Sequence, residues 1–340
     1  MEKTFIVVGE NIHCTRVRLT SGKFIIDTAD GRKALAFKAD GKPAALPIPQ
    51  AVVEGEEFTG GKVRHVMVAA WQGMYGATEA DKAAGIAYIQ SLARQQEAEG
   101  ASFLDVNVDE FSRTDATENV KAVKWVADIV QAACKLPLSI DSSNPLVLEA
   151  GLAACDTSRG KPLVNSVSLE RAALVPVAAK GGACVIAGAS GAERMPETTQ
   201  ERIDNLFKLA ELLKANNIAI GDTFFDPLVM TISADGANGL KVIDSIRAVR
   251  EHFGPAAHFA PGLSNVSYGL PKRPLINQVF ARLCQDAGCD GGIVDPAQIN
   301  AKILAGIDLT TEASKLAIAL LKGEDDFGME FITAVREEKI

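Results

Sequence analysis

Histidine and paired cysteine are what this chain has least of. Its 340 residues include four histidines and six cysteines. Cys14, Cys134, Cys155, Cys184, Cys284 and Cys289 form no Cys-x-x-Cys pair and no set with histidine that would complete a zinc site, so no metal centre is expected. Most of these cysteines sit in apolar segments, where they read as small buried hydrophobes; Cys14, next to His13, reads as an ordinary loop thiol. No run of about eighteen apolar residues occurs, which excludes a membrane-spanning helix. MEKTFIVVGE carries no apolar core of signal-peptide length, and the cytoplasm is the expected compartment. The 35 basic residues are outnumbered by 43 acidic ones, a net charge of −8 that argues against a general nucleic-acid surface. A Gly-x-Gly-x-x-Gly turn is also missing.

What is present is a rhythm. Short apolar runs recur at 5–11, 103–109, 137–142, 162–167, 183–189, 223–229, 257–264 and 291–295. They are near-continuous rather than alternating, as strands buried on both faces of a parallel sheet should be. Helical patterns follow near 79–99, 115–133, 145–155, 170–180, 197–216, 239–252, 272–287 and 299–322, with a last helix at about 327–338. In the fifth, Ile203, Leu206, Phe207, Ala210 and Leu213 keep helical spacing, behind Pro196 and a Thr198-x-x-Glu201 pair suited to capping. Eight strand–helix units predict an α/β fold, a (β/α)8 TIM barrel occupying residues 1–340 as one domain. An open doubly wound sheet fits the alternation too, but the missing glycine-rich turn favours the barrel.

One segment breaks the rhythm. An insertion at 15–78 separates the first strand from the first helix. Within it SGK, ADGRK and ADGK are hairpin-turn signals, and residues 15–45 read as a β-hairpin or small three-stranded element. Residues 12–50 carry seven basic and three acidic side chains, a local excess of positive charge. Following the first strand, the insert is expected to border the barrel's open mouth, as solvated decoration or as a ligand- or partner-facing surface.

Polar residues gather where the strands end: Glu10 and Asn11, Asp105 and Asn107, Asp141 and Ser142, Asn165 and Ser166, Asp226, Ser264 and Asn265, and Asp295. Lysine and histidine are nearly absent from the set, which suits neither Schiff-base nor metal-hydrolase chemistry. Carboxylates accept from ring N–H and amino groups, and amides both donate and accept, so the set suits a flat, nitrogen-rich heterocycle. Any single Asp or Asn here could instead be a turn or a helix cap, Asp141-Ser142-Ser143-Asn144 before Pro145 above all. Repetition at five strand ends favours a site.

VGENIH at 8–13, LDVNVD at 104–109, SIDSSNPLVLEAGL at 139–152, LVNSVSLER at 163–171, FFDPLV at 224–229 and GLSNVSYGLPKRPLIN at 262–277 resemble the pterin-binding methyltransferase family, across the barrel but not the insertion. The resemblance implies methyl transfer between tetrahydrofolate or 5-methyltetrahydrofolate and a corrinoid, as cobalt(I) or methyl-cobalt(III). It implies that Asp141, Asn165 and Asp226 hydrogen-bond the pterin, and that Asn265 reaches the N5 region with Ser264 beside it. Arg273 would shape that loop or meet the folate's acidic tail; Glu10, Asn11, Asp105 and Asn107 would form an outer polar network. Asn265 and Asp226 are the expected catalytic residues. None of His13, His65, His252 or His258 lies in an Asp-x-His-x-x-Gly motif, so the corrinoid is expected on a separate partner protein; the resemblance further implies a homodimer. Dihydropteroate synthase is the nearest alternative, but its Asn-Val-Thr-Pro-Asp-Ser-Phe and Ser-Thr-Arg-Pro-Gly loops are missing. A non-catalytic folate-binding barrel is the other alternative.

Overall fold

In the computed structural model, which describes residues 5–340, the apolar runs become strands that stop where proline or a turn removes the next ladder donor. In chain order the strands are β1 Ile6–His13, β2 Val17–Leu19, β3 Ile25–Asp27, β4 Lys33–Ala39, β5 Lys42–Pro47, β6 Lys62–Arg64 and β7 Phe103–Asn107. They continue as β8 Leu138–Asp141, β9 Leu163–Val167, β10 Cys184–Gly188, β11 Thr223–Asp226, β12 His258–Phe259 and β13 Gly291–Val294. Eight form one sheet in the order β12-β11-β10-β9-β8-β7-β1-β13. Its terminal strands meet, the Ile293 N–H donating to Pro261 O at 2.9 Å, which makes the sheet a barrel. With helices between the strands, the fold is an α/β (β/α)8 TIM barrel. Gly291 is required at this seam: a Cβ there would lie 2.6 Å from Phe259 O and 2.7 Å from Ile6 O.

Several boundaries differ from the sequence expectation, for local reasons. The strand expected at 257–264 is only His258–Phe259, because Pro261 cannot donate and the chain turns into a 3-10 segment, Leu263–Ser267. The strand expected at 223–229 ends at Asp226, before Pro227 and a left-handed Leu228 (φ 61°). The helix expected at 299–322 is two, Ala301–Ala305 and Glu312–Leu321. Between them Asp308 accepts from the Thr310 N–H at 2.8 Å, and Thr311 caps the second helix. The Thr198–Glu201 capping box forms as its spacing predicts. Among the described residues no helix is long and apolar enough to cross a membrane.

The chain divides into two compact units. A C-terminal unit comprises, of the described residues, 5–9, Glu99–Ser102 and Leu163–Ile340; an N-terminal unit comprises Glu10–Ala98 and Phe103–Pro162. The N-terminal unit holds the insertion, which is more structured than a hairpin. Strands β2 and β6 pair as an antiparallel ribbon, and β3, β4 and β5 form a separate antiparallel sheet. An unforeseen helix, His65–Tyr75, packs on the helix Glu79–Ala98 so closely that a Cβ on Gly85 would lie 2.4 Å from Gly73 N. The insertion was expected at the barrel mouth. Its three-stranded sheet instead runs along the helix Glu79–Ala98, tied by Arg32 to Asp81 (2.8 Å) and by Arg94 to Asp40 (3.1 Å), with the Phe37 and Tyr88 rings 4.9 Å apart. The ribbon stays beside the strand ends, where Arg64 pairs with Glu57 and Glu110.

Candidate active site

In the N-terminal unit the last residues of β1, β7 and β8 turn their side chains toward one another. Alternation along a strand sends Asp105 and Asn107 to one face of β7. Asp105 is fully buried and meets His13 Nε2 at 2.6 Å; the same nitrogen lies 4.0 Å from Asp141 Oδ2. Asn107 donates its amide to Asp141 Oδ2 at 3.0 Å and accepts the Asp109 N–H at 3.1 Å. Asp109 in turn accepts from Ser142 Oγ at 2.6 Å and from the Ser143 N–H at 3.2 Å. Helix capping falls to Asn144, which accepts the Leu146 N–H, so Asp141 is not used up as a cap. Glu10 pairs with Arg16 at 2.7 Å, and the Asn11 N–H donates to Gln96.

This cluster shifts its own protonation. Burial, then the neighbouring Asp105 charge, pushes the Asp141 carboxyl up to about 7, against the opposing pull of His13 and the Asn107 hydrogen bond. Burial pulls His13 down, but the Asp105 hydrogen bond and the charges of Asp105, Asp141 and Glu10 outweigh it and raise His13 above its ordinary value. The cluster also bears on whether a cation is held here. Donor atoms of His13, Asp105 and Asp141 lie within 4.8 Å of one another, but the 2.6 Å contact is that of a charge-assisted hydrogen bond. The arrangement is therefore read as an imidazole hydrogen-bonded to one carboxylate, with a second carboxylate 4.0 Å away. Cys14 is buried and its thiol is pushed up to about 12 by that burial, which makes it inert.

The C-terminal unit presents its polar residues differently. Asp226 closes β11, and one carboxylate oxygen accepts the Leu228 N–H at 2.8 Å. Burial pushes this carboxyl up to about 7, opposed by that hydrogen bond and by Arg202. Arg202 is itself fully buried, donating to Pro227 O at 3.0 Å and Thr198 O at 3.2 Å, which fixes the turn that aims Asp226. Asn165 lies in β9, half-buried, with a cis peptide bond to Ser166. Ser264 and Asn265 sit in the 3-10 turn Leu263–Ser267. The Asn265 side chain is exposed, folds over Gly262 and has no hydrogen-bond partner among the described residues. Arg273 holds that turn: Nε donates to Ser267 Oγ at 3.0 Å and a terminal nitrogen to Ser264 O at 2.8 Å. Of its two expected roles, this geometry is the loop-shaping one. Asp295 accepts from the Ala297 N–H and from Gln298, a turn rather than a site.

His13 is the side chain of this cluster that sequence reasoning passed over. The signal was available: Asn11 and His13 alternate along the first strand as Asp105 and Asn107 do along β7, but β1 was expected to stop at residue 11.

With the geometry in place, the comparisons narrow what it serves. The family model for pterin binding enzymes matches residues 80–295. A methylcorrinoid:tetrahydrofolate methyltransferase of Eubacterium limosum is 31% identical over 260 residues, covering 75% of this chain and 89% of that protein. The methionine synthase of Mycobacterium tuberculosis is 29% identical over 223 residues, which are 61% of this chain but 18% of that enzyme. Among solved structures, a dihydropteroate synthase from Xanthomonas albilineans in complex with 7,8-dihydropteroate gives a TM-score of 0.52 at 16% identity, covering 79% of this chain and 96% of that one. At such identity the likeness concerns the fold alone.

Proposed function

This chain belongs to the pterin-binding enzyme family, and we propose that it transfers a methyl group between a corrinoid protein and tetrahydrofolate. The observation that carries the reading is the relative whose named reaction is this one and whose length the chain nearly spans. The two half-buried carboxylates at strand ends support it, since Asp141 accepts from Asn107 and Asp226 from the Leu228 N–H, and each keeps acceptor capacity for a ligand. A pterin's pyrimidine edge offers ring N–H and amino donors, and Asp141, Asn165 and Asp226 are assigned to them.

The chemistry at N5 assigns the remaining roles. A methyl group on a neutral tertiary amine has a poor leaving group: the C–N electron pair stays on N5, which must gain a proton as the methyl departs, and in the reverse direction N5 becomes cationic as it accepts the methyl group and then loses that proton. The corrinoid, carried by a separate protein, supplies the cobalt that exchanges the methyl group. Asn265, exposed and without a side-chain partner among the described residues, is assigned to the N5 region, where its amide stabilises the protonated nitrogen in the transition state. Microscopic reversibility gives it the same role in both directions. Ser264 flanks it, and Arg273 holds the turn that carries both. Glu10, Asn11, Asp105 and Asn107 form the outer polar network. A homodimer in the cytoplasm completes the proposal.

The test is direct. Purified protein, tetrahydrofolate and either methylcobalamin or a methylated corrinoid protein should yield 5-methyltetrahydrofolate. Folate binding with no transfer from either methyl source would reduce the protein to a binding barrel. Condensation of a pterin diphosphate with 4-aminobenzoate would make it a synthase.

A further inference from the structure

Three charged side chains at the ends of β1, β7 and β8 are balanced as two potential anions against one potential cation. Asp105 is fully buried, Asp141 keeps about a quarter of its side-chain surface exposed, and His13 stands between them with one nitrogen 2.6 Å from the first and 4.0 Å from the second. The other charges near them add to the negative side: Glu10, paired with Arg16 at 2.7 Å, still acts on His13, and Asp109, which accepts from Ser142 and Ser143, still acts on Asp141. Arg64, also on this side of the unit, is engaged by Glu57 and Glu110. His13 is thus the cation placed to offset both carboxylates.

That placement matters because the carboxylate at Asp141 must accept. A protonated carboxyl offers an O–H where a pterin's N–H and amino groups also donate, and the two donors repel. Given the folate-site reading of Asp141, on which this rests, we infer that His13 is a positioning residue whose imidazolium charge holds Asp141 in its acceptor form for the pterin edge. Asn107 helps by donating to the same oxygen at 3.0 Å, but it brings no charge. The Asp141 charge draws His13 up, and the same coupling pulls Asp141 down against its burial.

Replacing His13 by Gln or Asn keeps a polar side chain and removes the charge. Affinity for 5-methyltetrahydrofolate, measured by calorimetry between pH 6 and 9, should fall about tenfold at pH 7 in His13→Gln. The acid limb of the affinity profile should move up by about one pH unit, which is a tenfold change in proton affinity. At pH 9 the variant should bind as the unaltered protein does, which also demonstrates an intact fold. A loss of equal size at every pH in both variants, or no loss at all, overturns the role. A second measurement needs no variant. The chain has four histidines, so the His13 ring can be followed by NMR in the unaltered protein. It should stay protonated through pH 7; a neutral ring there overturns the inference. Asp141→Asn separates the two levels. If it binds folate as well as the unaltered protein, the folate-site reading of Asp141 fails. If it binds weakly while His13→Gln shows no pH-dependent loss, only the role of His13 fails.

Discussion

The two carboxylates assigned to the pterin edge reach the same protonation behaviour by opposite routes. Asp141 is crowded: a second carboxylate, an imidazole and an amide surround it, and its elevation comes from burial reinforced by the Asp105 charge. Asp226 is isolated: burial does nearly everything, with one backbone N–H and the Arg202 charge opposing it. The surroundings differ in the same sense. The strand ends of the N-terminal unit are wired together through Asp105, Asn107, Asp109 and Ser142 before any ligand arrives. The turn that carries Asn265 is held from behind by Arg273 and leaves the amide unengaged. Prewired groups suit a part of the substrate whose charge is constant; an unengaged donor suits an atom whose charge changes.

The sharpest way to break this contrast is to compare rate with affinity. Asn265→Ala should lower kcat by about 10²-fold or more and leave folate affinity nearly unchanged, because its hydrogen bond strengthens only in the transition state. Asp141→Ala and Asp226→Ala should weaken folate binding by about ten- to a hundredfold, the worth of a charge-assisted hydrogen bond of about 1.5–3 kcal/mol. Single-turnover kinetics and calorimetry read the two effects separately. Asn265→Ala losing affinity at full kcat would erase the distinction.

Protons sharpen the same comparison at smaller scale. With both carboxyls near 7 in the free protein, a pterin edge that donates hydrogen bonds favours their ionised forms, so folate binding at pH 7 should release protons. Calorimetry in buffers of different ionisation enthalpy measures the release. Asp226→Asn should diminish it; an unchanged release would remove Asp226 from the linkage. Stability follows with a definite sign. The Asp226 carboxyl titrates higher when folded than when unfolded, so the free protein binds the extra proton and loses stability as pH rises from about 4 to about 7. The slope is at most about 1.4 kcal/mol per pH unit, and the curve flattens above that range. Asp226→Asn should therefore match the unaltered protein at pH 4 and melt at higher temperature above pH 7. Asp141→Asn should gain less, because it also deprives His13 of an anion. Equal gains in the two variants would mean that His13 offsets nothing.

These contrasts were only partly legible in the sequence. The strand-end carboxylates and amides could be read because buried parallel strands are continuous apolar runs, and polar residues stand out at their ends. His13 was passed over, because its alternation with Asn11 counts only if the strand runs two residues further, and that is decided by its neighbours: the Cys14 N–H donates to Asn107 O, 93 positions away in the chain. Arg202 was hidden for a related reason. On the sequence it is a charge in an amphipathic helix, and only the fold shows it buried against the turn after Asp226. The helix His65–Tyr75 escaped because Val66, Val68, Ala69, Ala70 and Gly73 are all buried, which leaves no polar stripe to mark a period.

The insertion gives the smallest predicted effect and the finest contrast, between the two ion pairs that tie its sheet to the helix Glu79–Ala98. Arg32 reaches Asp81, which is nearly buried and otherwise relies on Thr78, whereas Arg94 and Asp40 are both well exposed. An exposed pair is screened by water and contributes about 0–1 kcal/mol, while removing the partner of a buried carboxylate leaves that charge poorly satisfied. Arg32→Ala should lower unfolding stability by about 1 kcal/mol, allowing for the half-exposed arginine, and Arg94→Ala by no more than about 0.5 kcal/mol. Denaturant unfolding resolves a difference of that size when both variants keep the slope of the unaltered protein. If Arg94→Ala costs as much as Arg32→Ala, burial of the partner is not what separates the two pairs, and the sheet is held by its exposed charges.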